Sequence, residues 1–189
     1  MERDKAKWNE RYDREEYLLG LNPSRFLEER IDFIISVCPG RKALDIACGE
    51  GRNSIFLARH GFTVTGLDIS EAGIDKAGKR MAEEGLQIDF RLADLERYEF
   101  PETYDLVINF NFLLRDLIPK EVQALNSGGI LVFDTILDAP SLQGVHNPHY
   151  LLQPGELRTM FERFAGVILH YEERPHDATP TAKLIFQKA

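Results

Sequence analysis

Cysteine is nearly missing from this chain, which carries only Cys38 and Cys48 in 189 residues. Cys48 falls inside a glycine-bearing turn, so no disulfide framework is expected and a reducing compartment fits better. No stretch approaches the ~18 consecutive apolar residues of a membrane span. The first residues, MERDKAKWNERYDREEY, are too charged for a secretory signal. These absences point to a cytoplasmic protein that does not meet the membrane. A basic excess is missing too: 23 Lys plus Arg stand against 31 Asp plus Glu, a net charge of −8. A chain of that balance lacks the electrostatic footprint of a nucleic-acid binder. The five histidines (His60, His146, His149, His170, His176) are scattered and do not pair with the cysteines, so no metal site is expected. No Ser/His/Asp or Cys/His set has a plausible spacing either. What remains, 43% hydrophobic and 29% charged residues, is the composition of one globular domain long enough for a full core.

One stretch organises the rest: Lys42 to Ser70, KALDIACGEGRNSIFLARHGFTVTGLDIS. An apolar strand (Ala43, Leu44, Ile46) ends in the small-residue turn Ala47-Cys48-Gly49-Glu50-Gly51, a helix starts near Arg52-Asn53, and a second strand finishes on Asp68. Strand, glycine turn, helix and strand ending in an acid form half of a nucleotide-binding sheet. Such a turn offers backbone N–H groups to a ligand, and the acid can hold two ribose hydroxyls.

Before this unit, Trp8 and Tyr12 lie one turn apart on a polar helix and share a face. A helix with apolar Leu27, Ile31, Ile34 and Ile35 then runs from Ser24, a plausible N-cap, to Val37. After it come a helix from Ser70 (Ile74, Ala77, Met81), a strand from Gln87 to Leu92, and another from Tyr104 to Asn109. A short helix (Lys120 to Leu125), the turn Asn126 to Gly129, and a strand from Ile130 to Ile136 follow. A long loop, Leu137 to Gln153, leads to a helix with a core stripe of Leu157, Met160, Phe161 and Phe164. The strands Val167–Glu172 and Ala182–Lys188 close the chain. Alternating β and α predicts a mostly parallel sheet, and the terminal strand pair predicts one antiparallel member.

Gly49-Glu50-Gly51-Arg52-Asn53-Ser54 supplies two glycines and a serine where a dinucleotide fingerprint wants three glycines. Asp45, on the strand just before the turn, would repel a phosphate but attract an ammonium group. Asp68 lies 17 residues beyond Gly51, near the offset of a ribose-binding acid. Asp94, after the third strand, can accept from an adenine amine, with Ala93 or Leu95 beside the ring. An adenosine compound bearing a cation and no phosphate suits three acids at three successive strand ends. An NAD(P)-linked oxidoreductase would want the third glycine and leaves Asp45 and Asp94 unexplained. A base-flipping amino-methyltransferase would want prolines within Asn109-Phe110-Asn111-Phe112.

Asp45-x-Ala47-x-Gly49-x-Gly51, followed by Asp68, Asp94 and the strand before Asn109, resembles the class I S-adenosylmethionine-dependent methyltransferases. Within that class the chain is similar to the tellurite-resistance and related small-molecule enzymes. The residues carrying the narrower likeness are Trp8-Asn9-Glu10-Arg11-Tyr12, Gly51-Arg52-Asn53-Ser54, Ser127-Gly128-Gly129 and Gly155-Glu156-Leu157-Arg158. The likeness runs from about Trp8 to Phe186. It implies a Rossmann-like, doubly wound α/β fold: a seven-stranded, mostly parallel sheet with one antiparallel strand near the C-terminus. It divides a single domain, 1–189, into N-terminal lid helices (1–40), a cofactor-binding core (41–136) and a substrate-side loop with the terminal helix and strand pair (137–189). Ala47 departs from the family, which usually has glycine there.

By this resemblance S-adenosylmethionine is the cofactor, with its methionine end over Asp45, Ala47 and Gly49, its ribose at Asp68 and its adenine at Asp94. The expected contacts are Trp8, Tyr12, Arg25, Asp45, Ala47, Cys48, Gly49, Gly51, Asn53, Asp68, Ile69, Ala93, Asp94, Leu95 and Asn109. Arg25 is the expected partner of the methionine carboxylate, with Arg52 a second candidate. The acceptor is expected to be a small molecule, a chalcogen oxyanion or a thiol, approaching from Asn109–Arg115 and the loop Leu137–Tyr150. Methyl transfer in line on an activated carbon needs positioning more than acid–base help. Arg115, His146, His149, Tyr150 and His176 are the polar candidates, with Arg115 and Arg174 suited to an anion. A non-catalytic cofactor-binding module is the alternative, and a monomer or homodimer is expected.

Overall fold

The computed structural model describes residues 2–142 and 147–189. Its sheet grows from β1 (Lys42–Ile46), whose last four residues are buried. β1 pairs in parallel with β2 (Thr63–Asp68) on one side and β4 (Tyr104–Phe110) on the other. β3 (Asp89–Leu92) forms the edge beyond β2. β5 (Leu125–Ile136) continues beyond β4, followed by β7 (Thr181–Lys188) and β6 (Gly166–Arg174), so the order is β3-β2-β1-β4-β5-β7-β6. β7 is antiparallel to both its neighbours, and it alone runs against the other six strands. The order reverses between β1 and β4, and ligands of open α/β sheets bind in the crevice at such a switch point.

Successive strand residues point to opposite faces, and each face has its own apolar layer. Leu106, Ile108, Ile130 and Val132 meet α2 (Arg25–Val37) and α3 (Arg52–Arg59) on one side. Val107, Leu131 and Phe133 meet α5 (Ile118–Gln123) and α6 (Glu156–Phe161) on the other. α4 (Glu71–Glu83) covers β2 and β3, and α1 (Glu2–Tyr12) lies across α4.

Several expectations shift. α2 is not part of a lid: Leu27 and Ile34 are fully buried in the sheet core, each such side chain contributing about 1.5–3 kcal/mol. α1 and the segment after it do line the cavity over the strand ends. Ser24 occupies the N-cap position of α2 without a capping bond from its side chain. Instead its backbone N–H donates to Asn53 Oδ1 at 2.8 Å. Asn126–Gly129 is an irregularity inside β5, where pairing jumps from Tyr104↔Leu125 to Leu106↔Ile130 and Gly128 takes φ +73°. The loop after β5 is pinned by a parallel bridge, Leu137↔Leu152, between two buried leucines.

Candidate functional site

A cavity of about 520 Å³ opens over the carboxyl ends of the central strands, beneath α1. Its floor follows from the turn after β1. Ala47, Gly49 and Gly51 all have positive φ (54°, 53° and 76°), a sequence of backbone states that favours small residues. The turn is closed by its own amides: Cys48 N–H donates to Leu67 O (2.9 Å), Gly49 N–H to Asp68 Oδ2 (2.8 Å) and Gly51 N–H to Cys48 O (2.9 Å). A phosphate cradle needs such N–H groups turned outward; here those three are engaged within the protein.

The acids line this floor. Asp68, 5% exposed, accepts Gly49 N–H on one oxygen and Ser70 N–H (2.8 Å) on the other. A carboxylate has lone pairs left for further donors. Burial pushes the Asp68 carboxyl up, and the bonds from Ser70 and Gly49 pull it back. Asp45 accepts from Ser54 Oγ at 2.6 Å, tying β1 to α3, and also borders the cavity. Burial pushes it up to about 7, opposed by the Ser54 bond and the Arg52 charge. Asp94, Leu95 and Glu96 stand on the wall beyond β3, and Cys48, Asn53 and Ile69 complete the floor.

α1 roofs the cavity with Trp8, Arg11 and Tyr12. Trp8 and Tyr12 stack at 5.6 Å, and the Arg11 guanidinium lies 5.0 Å from the Trp8 ring centre. Tyr12 sits so close to the floor that a Cβ on Gly49 would lie 2.6 Å from its hydroxyl oxygen. Burial, then Asp68 and Glu50, push the phenol pKa up, so the hydroxyl keeps its proton. Lys5–Glu71 (2.7 Å) fastens α1 to α4. So does Asn9, whose Oδ1 accepts from Ser70 Oγ (2.7 Å) and Ala72 N–H (3.3 Å). Asn9 escaped notice as a functional residue although it lies between Trp8 and Tyr12.

Other expected residues lie elsewhere. Arg25 points to solvent, 88% exposed at its side chain, and pairs with Glu29 one helical turn on (2.6 Å); it is not on the cavity wall. Arg52 is on the wall, between the charges of Asp45 and Asp134. Gly51 faces away, against Ala77 and Phe90. Ala93 is in the core, its N–H donating to Asp68 O. Asn109 is sealed beneath the sheet and donates to Glu121 (2.8 Å) instead of facing a ligand.

The acceptor side also differs from expectation. Arg115 grips Glu156 with two nitrogens and donates to the carbonyls of His149 (2.8 Å) and Leu151 (2.9 Å), so it clamps the loop. His149 and His176 are exposed and outside the cavity lining, and His146 lies outside the described residues. Of the polar candidates among the described residues only Tyr150 reaches the rim. The wall is instead mostly apolar, with Phe110, Phe112, Leu113, Leu114, Ile136, Leu18 and Leu19, and Asn111, Thr135 and Thr179 are its polar members. Periodicity does not reveal this, because Phe110 and Ile136 end their strands and Phe112, Leu113 and Leu114 lie in the irregular segment that follows β4. Among the described residues, no three His, Cys, Asp or Glu side chains are grouped to hold a metal ion. Among the same residues no helix is long and apolar enough to cross a membrane.

Comparison with known proteins agrees with this geometry. A family model described as a methyltransferase domain matches residues 43–128. The ubiquinone biosynthesis O-methyltransferase of Pseudomonas entomophila is 30% identical, the match covering 85% of this chain and 78% of that protein. TehB of Haemophilus influenzae, named a probable S-adenosyl-L-methionine-dependent methyltransferase, is 34% identical over 61% of this chain and 41% of its own length. The crystal structure of the N-methyltransferase NodS from Bradyrhizobium japonicum shares the fold, with a TM-score of 0.74, 20% identity and 97% of both chains covered. The chain belongs to the class I S-adenosylmethionine-dependent methyltransferases.

Proposed function

We propose that this enzyme methylates a hydroxyl or comparable nucleophile on a small, mostly apolar molecule. The observation that carries the reading is the division of the cavity into two kinds of wall. Acids at the ends of β1, β2 and β3 surround a floor whose amides are turned inward, which suits a cationic ligand without phosphate. Opposite them, aromatic and aliphatic side chains after β4 and β5 offer an apolar surface. Bound on the acidic side, S-adenosylmethionine supplies an electrophilic methyl group on a cationic sulfur. Asp45 would face its ammonium, Asp68 its ribose hydroxyls and Asp94 its adenine amine, with Arg52 on the same wall as a cation for its carboxylate. The apolar wall excludes water and aims the nucleophile along the line of transfer, an arrangement that lowers the barrier by positioning.

The arginines suited to a chalcogen oxyanion are engaged, Arg115 with Glu156 and Arg174 with Glu172, and the basic side chains that line the cavity, Lys7, Arg11 and Arg52, stand among a larger number of carboxylates. Among the described residues no histidine lines the cavity to activate a thiol. The name of the relative from P. entomophila, an O-methyltransferase, favours oxygen as the receiving atom.

Two measurements test the reading. Calorimetry should show binding of S-adenosylhomocysteine and none of NAD. Label from methyl-tritiated S-adenosylmethionine should then pass to tert-butylcatechol in preference to tellurite or dithiothreitol. Uptake of NAD alone would overturn the cofactor assignment, and transfer to tellurite or the thiol alone would overturn the acceptor class.

A further inference from the structure

Residues 13–20 form neither helix nor strand, yet two of them, Leu18 and Leu19, build part of the apolar wall. Within itself the segment makes little: Arg14 N–H to Tyr12 O and Gly20 N–H to Tyr17 O. Its shape is imposed from below. Lys76, on α4, donates to the carbonyls of Arg14 (2.9 Å) and Glu16 (2.8 Å), and its ammonium lies 4.7 Å from the Tyr17 ring centre. The same ammonium forms an ion pair with Glu50, whose other oxygen accepts Leu18 N–H at 2.7 Å. The two side chains are only 15% and 6% exposed. An ion pair so far from water is strongly damaged by loss of either partner, so its geometry is held firmly. Glu50 belongs to the turn that floors the cofactor side.

We propose that Glu50 and Lys76 are positioning residues for methyl transfer: their ion pair fixes Leu18 and Leu19 as the acceptor-facing wall. The cofactor turn thereby shapes the place of the second substrate. This rests on the cavity being the methyltransferase site, and it adds which residues set the apolar acceptor surface. Lys76 lies outside the cavity lining, and Glu50 reaches it from the turn after β1. Both act through the backbone of residues 14–18.

The test compares wild type with Lys76→Met, Lys76→Arg and the double variant Glu50→Gln/Lys76→Met. The double variant leaves no buried unpaired carboxylate and serves if Lys76→Met folds poorly. Amide exchange over residues 13–21 should accelerate about tenfold in Lys76→Met and in the double variant while protection of α4 is retained. The KM for tert-butylcatechol should rise about fivefold with kcat nearly unchanged, the signature of lost acceptor binding. S-adenosylhomocysteine affinity should stay within about threefold, and Lys76→Arg should restore both the exchange and the KM. Unchanged exchange overturns the proposal. So does a loss of S-adenosylhomocysteine affinity as large as the rise in KM, which would mean that the pair only supports the cofactor turn. A wild type that binds no S-adenosylhomocysteine removes the functional reading instead, and the exchange pattern then still decides whether the pair sets the wall.

Discussion

Asn109 Nδ2 donates to Glu121 Oε1 at 2.8 Å, with both side chains closed off from water between β4 and α5. Asn109 Oδ1 and Glu121 Oε2 have no hydrogen-bond partner among the described residues. Burial pushes the Glu121 carboxyl up to about 8, the Asn109 bond offsetting part of that. The folded protein therefore keeps a proton that the unfolded chain releases above about pH 4.3. Stability linked to this group is greatest below that value. It falls as pH climbs toward 8, by about 1.4 kcal/mol per unit, and levels off above. Glu121→Gln retains the bond from Asn109 without the ionisable proton. Its melting temperature relative to wild type should rise steadily between about pH 5 and about pH 8. An equal difference at both ends would mean that Glu121 ionises freely in the folded protein.

Asp45 gives a second pH dependence, in ligand binding. Pushed up to about 7 by burial, it is partly protonated near neutrality. An ammonium placed beside it favours the ionised form. Affinity for S-adenosylhomocysteine should therefore increase with pH up to about 7, by up to about tenfold per unit, and then flatten. Below that pH, calorimetry in buffers of different ionisation enthalpy should detect proton release on binding. In Asp45→Asn the slope should vanish; if it persists there, another group is responsible.

Gly49→Ala strikes the contact between floor and roof. The new methyl group would lie 2.6 Å from the Tyr12 hydroxyl oxygen, on a residue already at φ +53°. Left-handed backbone costs a non-glycine residue about 1–2 kcal/mol, and Tyr12 must move as well. A lower melting temperature and a shifted emission of Trp8, which stacks on Tyr12, are the expected outcomes. Binding of S-adenosylhomocysteine should weaken about tenfold, or about 1.4 kcal/mol. Emission identical to wild type would show that the roof does not rest on Gly49.

Arg115→Ala should unfasten the loop ahead of α6 without touching the cofactor side. Two contacts to Glu156 and two to backbone carbonyls are lost. The arginine side chain is 37% exposed, so the ion pair is partly screened. A loss of about 1–2 kcal/mol in urea denaturation is expected, with faster proteolysis at residues 147–153 and unchanged S-adenosylhomocysteine affinity. Weakened cofactor binding would place Arg115 in a role this geometry does not give it.

The sequence made the cofactor half legible and the acceptor half much less so. From Lys42 to Asp68 every signal is local: an apolar run, small residues where φ must be positive, helical spacing, then an acid at a strand end. The roles of Arg115 and Asn109 depend on partners 41 and 12 residues away, Glu156 and Glu121, which no local pattern announces. Arg25 stands away from the cavity because its neighbour at i+4, Glu29, pairs with it on the solvent face of α2. Asn126–Gly129 has turn composition, but the pairing of β4 with β5 on both sides keeps it within a strand. That residues after β4 border the cavity was readable. Which of their side chains do so was not, because Asn109 and Arg115 turn to Glu121 and Glu156 while Phe110, Asn111, Phe112 and Leu113 border the cavity.

The excess of carboxylates over basic groups around the cavity bears on the end of the catalytic cycle. Methyl transfer erases one positive charge, turning a sulfonium into a neutral thioether, while the surrounding negative field stays as it was. The same electrostatic attraction that draws the fresh donor in therefore slackens once it is used, which favours turnover over inhibition by the spent product.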